Sequence, residues 1–107
     1  MLRLIAVHEI FHFVWARLGN TARREFAALL EAERAGRARG ELGESSCHAK
    51  SLLNEASWLD YVCEGFCDTA AWLYAGVKRH REFKLGRRWR DRRKQWFERT
   101  FAQARTC

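Results

Sequence analysis

Residues 59–73 read Leu-Asp-Tyr-Val-Cys-Glu-Gly-Phe-Cys-Asp-Thr-Ala-Ala-Trp-Leu, and this stretch decides the fold. Its apolar residues recur every three or four positions, which places them on one face of an α-helix. Following the same period in both directions predicts one long helix over Cys47–Ala75, which Gly76 ends. Its buried stripe is predicted to contain Leu52, Ala56, Leu59, Val62, Cys63, Phe66, Ala70 and Leu73.

Three further helices are predicted around this one. The first covers Leu2–Leu18, the second starts at an Asn20 or Thr21 cap and ends near Gly36, and the last covers Arg88–Ala104. The first helix carries its core-facing residues at helical spacing, namely Leu4, Ile5, His8, Phe11, His12, Trp15 and Leu18. The fold class predicted is therefore mainly α, a small domain of about four helices.

The connections contain few apolar residues. Residues 36–46 carry three glycines and predict a mobile connection, while residues 77–87 form a basic connector with one short extended piece at Glu82–Leu85. Proline is absent, which favours uninterrupted helices. No alternation of polar and apolar residues is strong enough to predict a sheet.

Composition limits the class of protein. The chain has 107 residues, of which 48% are hydrophobic, so one packed domain is expected and disorder is not. An apolar run of about 20 residues is lacking, so no membrane association is expected. The first residues are too short an apolar run for a secretory signal, and the four cysteines are therefore expected to be reduced thiols in a cytoplasmic protein.

The formal charge of +7 comes from one part of the chain. Residues 1–76 contain 8 basic and 10 acidic residues, and residues 77–107 contain 12 basic and 3 acidic ones. Residues 87–97 mix arginine with aromatic residues, as nucleic-acid-binding segments do. The favoured interpretation is structural: one face packs on the core and the arginines lie in solvent. That face consists of Trp89, Trp96, Phe97 and Phe101.

The first helix contains a motif that points to metal chemistry, His8-Glu9-Ile10-Phe11-His12. Two histidines four residues apart lie on the same side of a helix, so both imidazoles can reach one metal ion. Glu9 lies beside them, where it can take a proton from a water molecule activated by the metal. The alternative is that both histidines are ordinary core residues with satisfied hydrogen bonds.

A second motif, Glu64-Gly65-Phe66-Cys67-Asp68, lies on the long helix. Catalytic zinc takes three protein ligands, so a third is needed beside the two histidines. Glu64 flanks the apolar stripe, and Asp68, one turn later on the same face, can accept the second N–H of a ligating histidine. Together the two motifs resemble the gluzincin type of zinc metallopeptidase, which has His-Glu-x-x-His followed on another helix by Glu-x-x-x-Asp. The segment that carries both motifs covers about half of the chain.

This resemblance implies a site and a function. His8, His12 and Glu64 would bind one Zn²⁺, Glu9 would be the general base, and Asp68 would orient His8. The expected activity is zinc-dependent hydrolysis of a peptide or protein substrate. The whole chain, residues 1–107, would be one zincin-like domain, with the metal site in residues 1–76 and a basic C-terminal extension in residues 77–107.

Two features depart from the family pattern. Only seven residues precede His8, so the N-terminal sheet of the family has no room, and a truncated or reduced member is expected. Gluzincins also use a tyrosine or histidine to stabilise the oxyanion. No spacing selects one of the candidates, Tyr61, Tyr74, His48 and His80.

Cysteines offer a competing set of ligands. Cys63 and Cys67 bracket Glu64 at helical spacing, and with His8 and His12 they could form a closed structural zinc site. Both cysteines also continue the apolar stripe, where cysteine behaves as a small buried hydrophobic residue. The alternative function is accordingly a non-catalytic, zinc-stabilised helical module whose basic C-terminal face binds nucleic acid or another polyanion.

Overall fold

The computed structural model describes residues 2–54, 57–77, 80–81 and 83–102, and these ranges contain five α-helices and no strand. The prediction of a mainly helical domain is confirmed, with five helices where about four were expected. The helices are α1 (Leu2–Arg17), α2 (Asn20–Ala35), α3 (Glu44–Ser51), α4 (Trp58–Tyr74) and α5 (Arg87–Ala102). No helix in these ranges is long and apolar enough to cross a membrane.

The predicted long helix over Cys47–Ala75 is wrong, because the chain breaks between α3 and α4. Asn54 and Ser57 explain the break: the Asn54 side chain accepts a hydrogen bond from the Ser57 N–H at 3.0 Å, and the Ser57 hydroxyl accepts one from the Asn54 N–H at 2.9 Å. Such reciprocal side-chain bonds compete with the backbone hydrogen bonds of a continuous helix. Leu52 and Leu59, predicted in the stripe, are consequently exposed, by 60% and 71%. Ala56 lies outside the described residues.

Helix α4 is the centre of the molecule, since each of the other four helices contacts it. Val62, Phe66 and Ala70 are buried as predicted. The main core combines them with residues of α2 and α5, and contains Phe26, Leu30, Tyr61, Val62, Phe66, Cys67, Ala70, Trp96 and Phe97. The basic C-terminal helix α5 therefore shares one core with α1, the helix that carries His8 and His12.

The segment 36–46 is packed against the rest of the protein, contrary to the prediction of a mobile connection. Glu41 and Leu42 are buried, and α3 already begins at Glu44. The Glu41 carbonyl accepts hydrogen bonds from the N–H groups of Lys84 and Leu85 at 2.8 and 3.0 Å. These bonds join the two connections, although no strand forms among the described residues near Leu85. Glu82 lies outside the described residues.

Two other details differ from the sequence predictions. Helix α2 begins at Asn20 and is preceded by Gly19, with no side chain capping it. On α1, Ile5 is exposed by 51% although it was predicted to face the core. The part of the last predicted helix beyond Ala102 lies outside the described residues.

The prediction that the arginines of the last helix lie in solvent is wrong for Arg93, which is fully buried. Its guanidinium group donates two hydrogen bonds to Glu33, at 2.6 and 2.7 Å, one to Glu41 at 3.1 Å and one to Thr69 at 3.0 Å. Burial alone would lower the pKa of Arg93, but the hydrogen bond to Glu33 and the charges of both glutamates raise it, so the group stays charged. We call this group the Arg93 cluster; it consists of Glu33, Glu41, Lys50, Tyr61, Thr69 and Arg93.

Candidate metal centre

Helices α1 and α4 pack along each other, and this packing brings three predicted ligands together. The Nε2 atoms of His8 and His12 lie 3.0 Å apart. The two carboxylate oxygens of Glu64 lie 3.2 Å from the His8 Nε2 atom and 3.4 Å from the His12 Nε2 atom. Glu64 is 52 positions or more from the two histidines in the chain, and the fold brings all three side chains to one point.

The orientation of both imidazole rings is set by helix α4. The His8 Nδ1 atom is 2.7 Å from Asp68 Oδ1, which is the partner that the sequence predicted. The His12 Nδ1 atom is 3.6 Å from the sulfur of Cys63, a contact that the sequence reasoning missed. A hydrogen on each Nδ1 atom satisfies these contacts, and the Nε2 lone pairs of both rings then point toward Glu64.

Asp68 is itself held by the start of α3. Its Oδ2 atom accepts hydrogen bonds from the Ser46 N–H at 2.8 Å and from the Ser46 hydroxyl at 2.6 Å. Gly43 makes room for the carboxylate, because a Cβ atom there would lie 2.3 Å from the Asp68 side chain. Neither Ser46 nor Gly43 was predicted, since a glycine and a serine before a helix indicate only that a helix starts there.

Cys67 is a fully buried residue that lies close to the two histidines. Among the described residues, His8, His12 and Cys67 each offer one donor atom within 4.8 Å of the others, close enough to hold a metal ion. Cys63 instead contacts the Nδ1 side of His12. The four groups of the competing Cys₂His₂ arrangement are thus neighbours, but only Cys67 lies in the close group with the two histidines.

The two thiols influence each other. A hydrogen bond with Cys67, together with the nearby His12 ring, lowers the pKa of the Cys63 thiol, and the same hydrogen bond together with burial raises the pKa of the Cys67 thiol. Of the two thiols, Cys63 is therefore the one that loses its proton more readily.

Negative charge surrounds His8. The hydrogen bond to Asp68 raises the pKa of His8 above its usual value, the charges of Asp68, Glu64 and Glu9 act in the same direction, and burial opposes them. Two carboxylates contact the ring, from Asp68 on one nitrogen and Glu64 on the other. The site therefore favours a cation beside His8, whether a proton or a metal ion.

Glu9, the predicted general base, is exposed on α1. Glu9 borders a cavity of about 300 Å³ together with His8 and Asp68. Leu4, Ile5 and Gly43 also line this cavity. The cavity thus lies on the side of the centre where His8 contacts Asp68.

The candidate oxyanion residues lie elsewhere. The Tyr61 hydroxyl donates to Glu41 in the Arg93 cluster, and Tyr74 stacks on Phe11 with ring centroids 5.5 Å apart. His48 is exposed on α3, and the ring of His80 lies 5.6 Å from that of Phe83. None of these four candidates borders the cavity that contains His8 and Glu9.

Comparison of the chain with protein-family models, with curated proteins and with solved structures gives no match. The resemblance to gluzincins therefore depends on the two motifs alone. The chemistry of the site follows from its own donor atoms, their spacing and their surroundings.

Proposed function

We propose that this protein binds one zinc ion through His8, His12 and Glu64 and uses it to hydrolyse peptide bonds, with Glu9 as the general base. The observation that carries the proposal is the convergence of two imidazole nitrogens and one carboxylate within 3.0–3.4 Å of each other. The two-motif resemblance to zinc metallopeptidases supports the choice of reaction.

The spacing of the donor atoms fits zinc. Ligand nitrogens about 2.0–2.1 Å from a tetrahedral zinc ion lie about 3.3 Å from one another. The corresponding distances are 3.0 Å between the His8 and His12 Nε2 atoms and 3.2 and 3.4 Å from these atoms to Glu64. The nitrogens that do not face the centre are bonded to Asp68 and Cys63, which is the outer arrangement that ligating histidines usually have.

Each residue has a distinct task in the proposed reaction. A bound zinc ion would supply Lewis-acid chemistry, which makes a water molecule easier to deprotonate. Asp68 fixes the ring of His8, and its negative charge strengthens the ring as a ligand. The exposed carboxylate of Glu9 accepts the proton of the attacking water and later donates it to the leaving amine. Leu4 and Ile5 offer an apolar wall for a substrate side chain.

Metal content tests the ligand set. Protein purified without added zinc is expected to hold about one zinc ion per chain by elemental analysis. The variant Glu64→Ala should lose most of it, because one of three ligands is removed. Asp60→Ala is the matched control, since Asp60 is an exposed carboxylate on the same helix, and it should keep the metal. Equal zinc content in the two variants would contradict the assignment of Glu64.

Activity is tested separately with Glu9→Gln, which keeps the shape of the side chain and removes the proton acceptor. Zinc content should stay nearly unchanged, while cleavage of a peptide library should slow by about 10²–10⁴-fold, the usual contribution of a general base. Absence of cleavage by the zinc-loaded native protein would refute the enzymatic function. Cleavage at an equal rate in the variant would indicate a contaminating protease.

A specific observation also favours the alternative function, a module that binds polyanions. Arg88 and Arg92 are exposed on α5, and their guanidinium groups lie 4.6 and 5.5 Å from the ring centroid of Trp89. This arrangement presents charge and an aromatic side chain together. Under this alternative the protein binds single-stranded nucleic acid in a salt-sensitive way, and replacing Arg88 and Arg92 with glutamine should weaken that binding. Arg93 plays no part in this surface because it is buried.

A further inference from the structure

We propose that Cys67 is an alternative ligand of the same centre, so that a soft cation such as Cd²⁺ is held by His8, His12 and the Cys67 thiolate. The proposal rests on the proposed metal function of the two histidines, and it adds a second class of metal. His8, His12 and Cys67 each place a donor atom within 4.8 Å of the other two.

Glu64 and Cys67 differ in their burial. They lie three residues apart on α4 and therefore share a helix face. The Glu64 side chain is 26% exposed, whereas Cys67 is fully buried in the main core. The carboxylate thus borders solvent, and the sulfur lies in the interior of the protein.

The second cysteine is occupied in another way. The Cys63 sulfur contacts the Nδ1 atom of His12, the nitrogen that faces away from Glu64. Cys63 therefore orients a histidine, and Cys67 is the thiol that can replace or supplement the carboxylate as a ligand. This differs from a closed site in which both cysteines bind the metal.

Ligand chemistry separates the two modes. Carboxylate oxygen suits borderline and hard cations, whereas thiolate favours soft ones. On binding Cd²⁺, the Cys67 thiol would lose its proton to solvent as the sulfur–metal bond forms, with no change in oxidation state. A buried sulfur ligand also draws the ion toward the core and away from the cavity that Glu9 borders, so cadmium is expected to occupy the site without supporting hydrolysis.

The test measures the ultraviolet charge-transfer absorption of cadmium thiolate during Cd²⁺ titration. All variants carry Cys47→Ser and Cys107→Ser, to remove binding by the other thiols. The band should appear in this background, and it should vanish in both Cys67→Ser and Cys67→Ala. The Cys67 variants should bind Cd²⁺ about 10-fold more weakly or worse, since even outer groups of a metal site contribute about 10–100-fold. Helix content measured by circular dichroism confirms that each variant is folded.

The outcomes distinguish this inference from the proposed function. A band that persists without Cys67, or Cd²⁺ bound by the background protein with no band, would overturn the role of Cys67. The proposed function would still stand after either result, provided that the native protein binds zinc and Glu64→Ala loses it. Conversely, a Cys67-dependent cadmium band that survives Glu64→Gln, together with zinc content unaffected by Glu64→Ala, would support Cys67 and contradict Glu64.

Discussion

Two clusters of charged side chains lie between the helices in the described part of the chain, and they differ in how their charge is balanced. In the Arg93 cluster, Arg93 and Lys50 contact Glu33 and Glu41, two cations against two carboxylates. In the histidine cluster, Glu64 and Asp68 contact His8 and His12. With both imidazoles neutral, this second cluster has two carboxylates and no cation.

Under the proposed function, the difference separates a cluster that supports the fold from one that binds a metal ion. A buried ion cluster with matched charges and satisfied hydrogen bonds needs nothing from outside, but it tolerates no loss of one partner. A cluster of lone pairs and carboxylates needs a cation to offset their mutual repulsion. A divalent metal ion would balance the two carboxylates, and the hydrogen bond to Asp68 and the nearby negative charges likewise raise the pKa of His8.

The largest expected effect comes from removing the cation of the Arg93 cluster. Arg93→Met removes the buried cation and leaves Glu33 and Glu41 without it, which should reduce the free energy of unfolding by about 3–5 kcal/mol in urea denaturation. Arg92→Met is the matched control, because Arg92 is exposed on the same helix, and it should change stability by no more than about 0.5 kcal/mol.

A triple variant shows whether charge or volume is responsible. Arg93→Met combined with Glu33→Met and Glu41→Leu removes the unpaired carboxylates, and it should recover part of the lost stability. A triple variant less stable than Arg93→Met alone would mean that the cluster contributes through packing and not through charge.

The sequence predicted the histidine cluster better than the Arg93 cluster, for a physical reason. His8 and His12, and Glu64 and Asp68, are each one helical turn apart, so helical geometry alone aligns each pair. Their meeting required only that two apolar helix faces pack together. Arg93, in contrast, lies in a run of arginines and lysines that looks uniformly solvated, and its partners come from α2, α4 and the 36–43 connection.

The break between α3 and α4 was missed for a similar reason. The apolar period continues from Leu52 to Leu59, and periodicity carries no information about the reciprocal hydrogen bonds of Asn54 and Ser57. The break matters for the site because it lets α3 turn back, so that Ser46 reaches Asp68. The hydrogen bonds between Asn54 and Ser57 thus explain the break between α3 and α4, which the hydrophobic pattern could not predict.

The second prediction tests the histidine cluster by adding zinc, the cation that would balance its charge. Zinc at about 100 times its dissociation constant should raise the free energy of unfolding by about 2.7 kcal/mol, since it binds the folded state alone. Thermal unfolding with zinc and with a chelator measures the effect. Glu64→Gln should show little of this stabilisation, whereas Asp60→Asn should show all of it. An equal increase in both variants would place the zinc outside the cluster.

The smallest expected effect concerns the group that orients His8. In Asp68→Asn, the side-chain oxygen can still accept the His8 Nδ1–H, but the negative charge is lost, and the amide nitrogen can accept neither of the two hydrogen bonds from Ser46. Zinc affinity should fall by about 10–100-fold, which corresponds to about 1.4–2.7 kcal/mol.

A further variant separates this orienting role from a general loss of structure. Ser46→Ala removes the hydroxyl hydrogen bond to Asp68 and leaves the carboxylate charge beside His8. If charge on Asp68 strengthens the ligand, Ser46→Ala should retain more zinc affinity than Asp68→Asn when both are compared by competition with a zinc-binding dye. If the two variants lose equal affinity and equal stability without zinc, Asp68 acts only by holding α3 against α4, and the difference between the two clusters is smaller than their charges suggest.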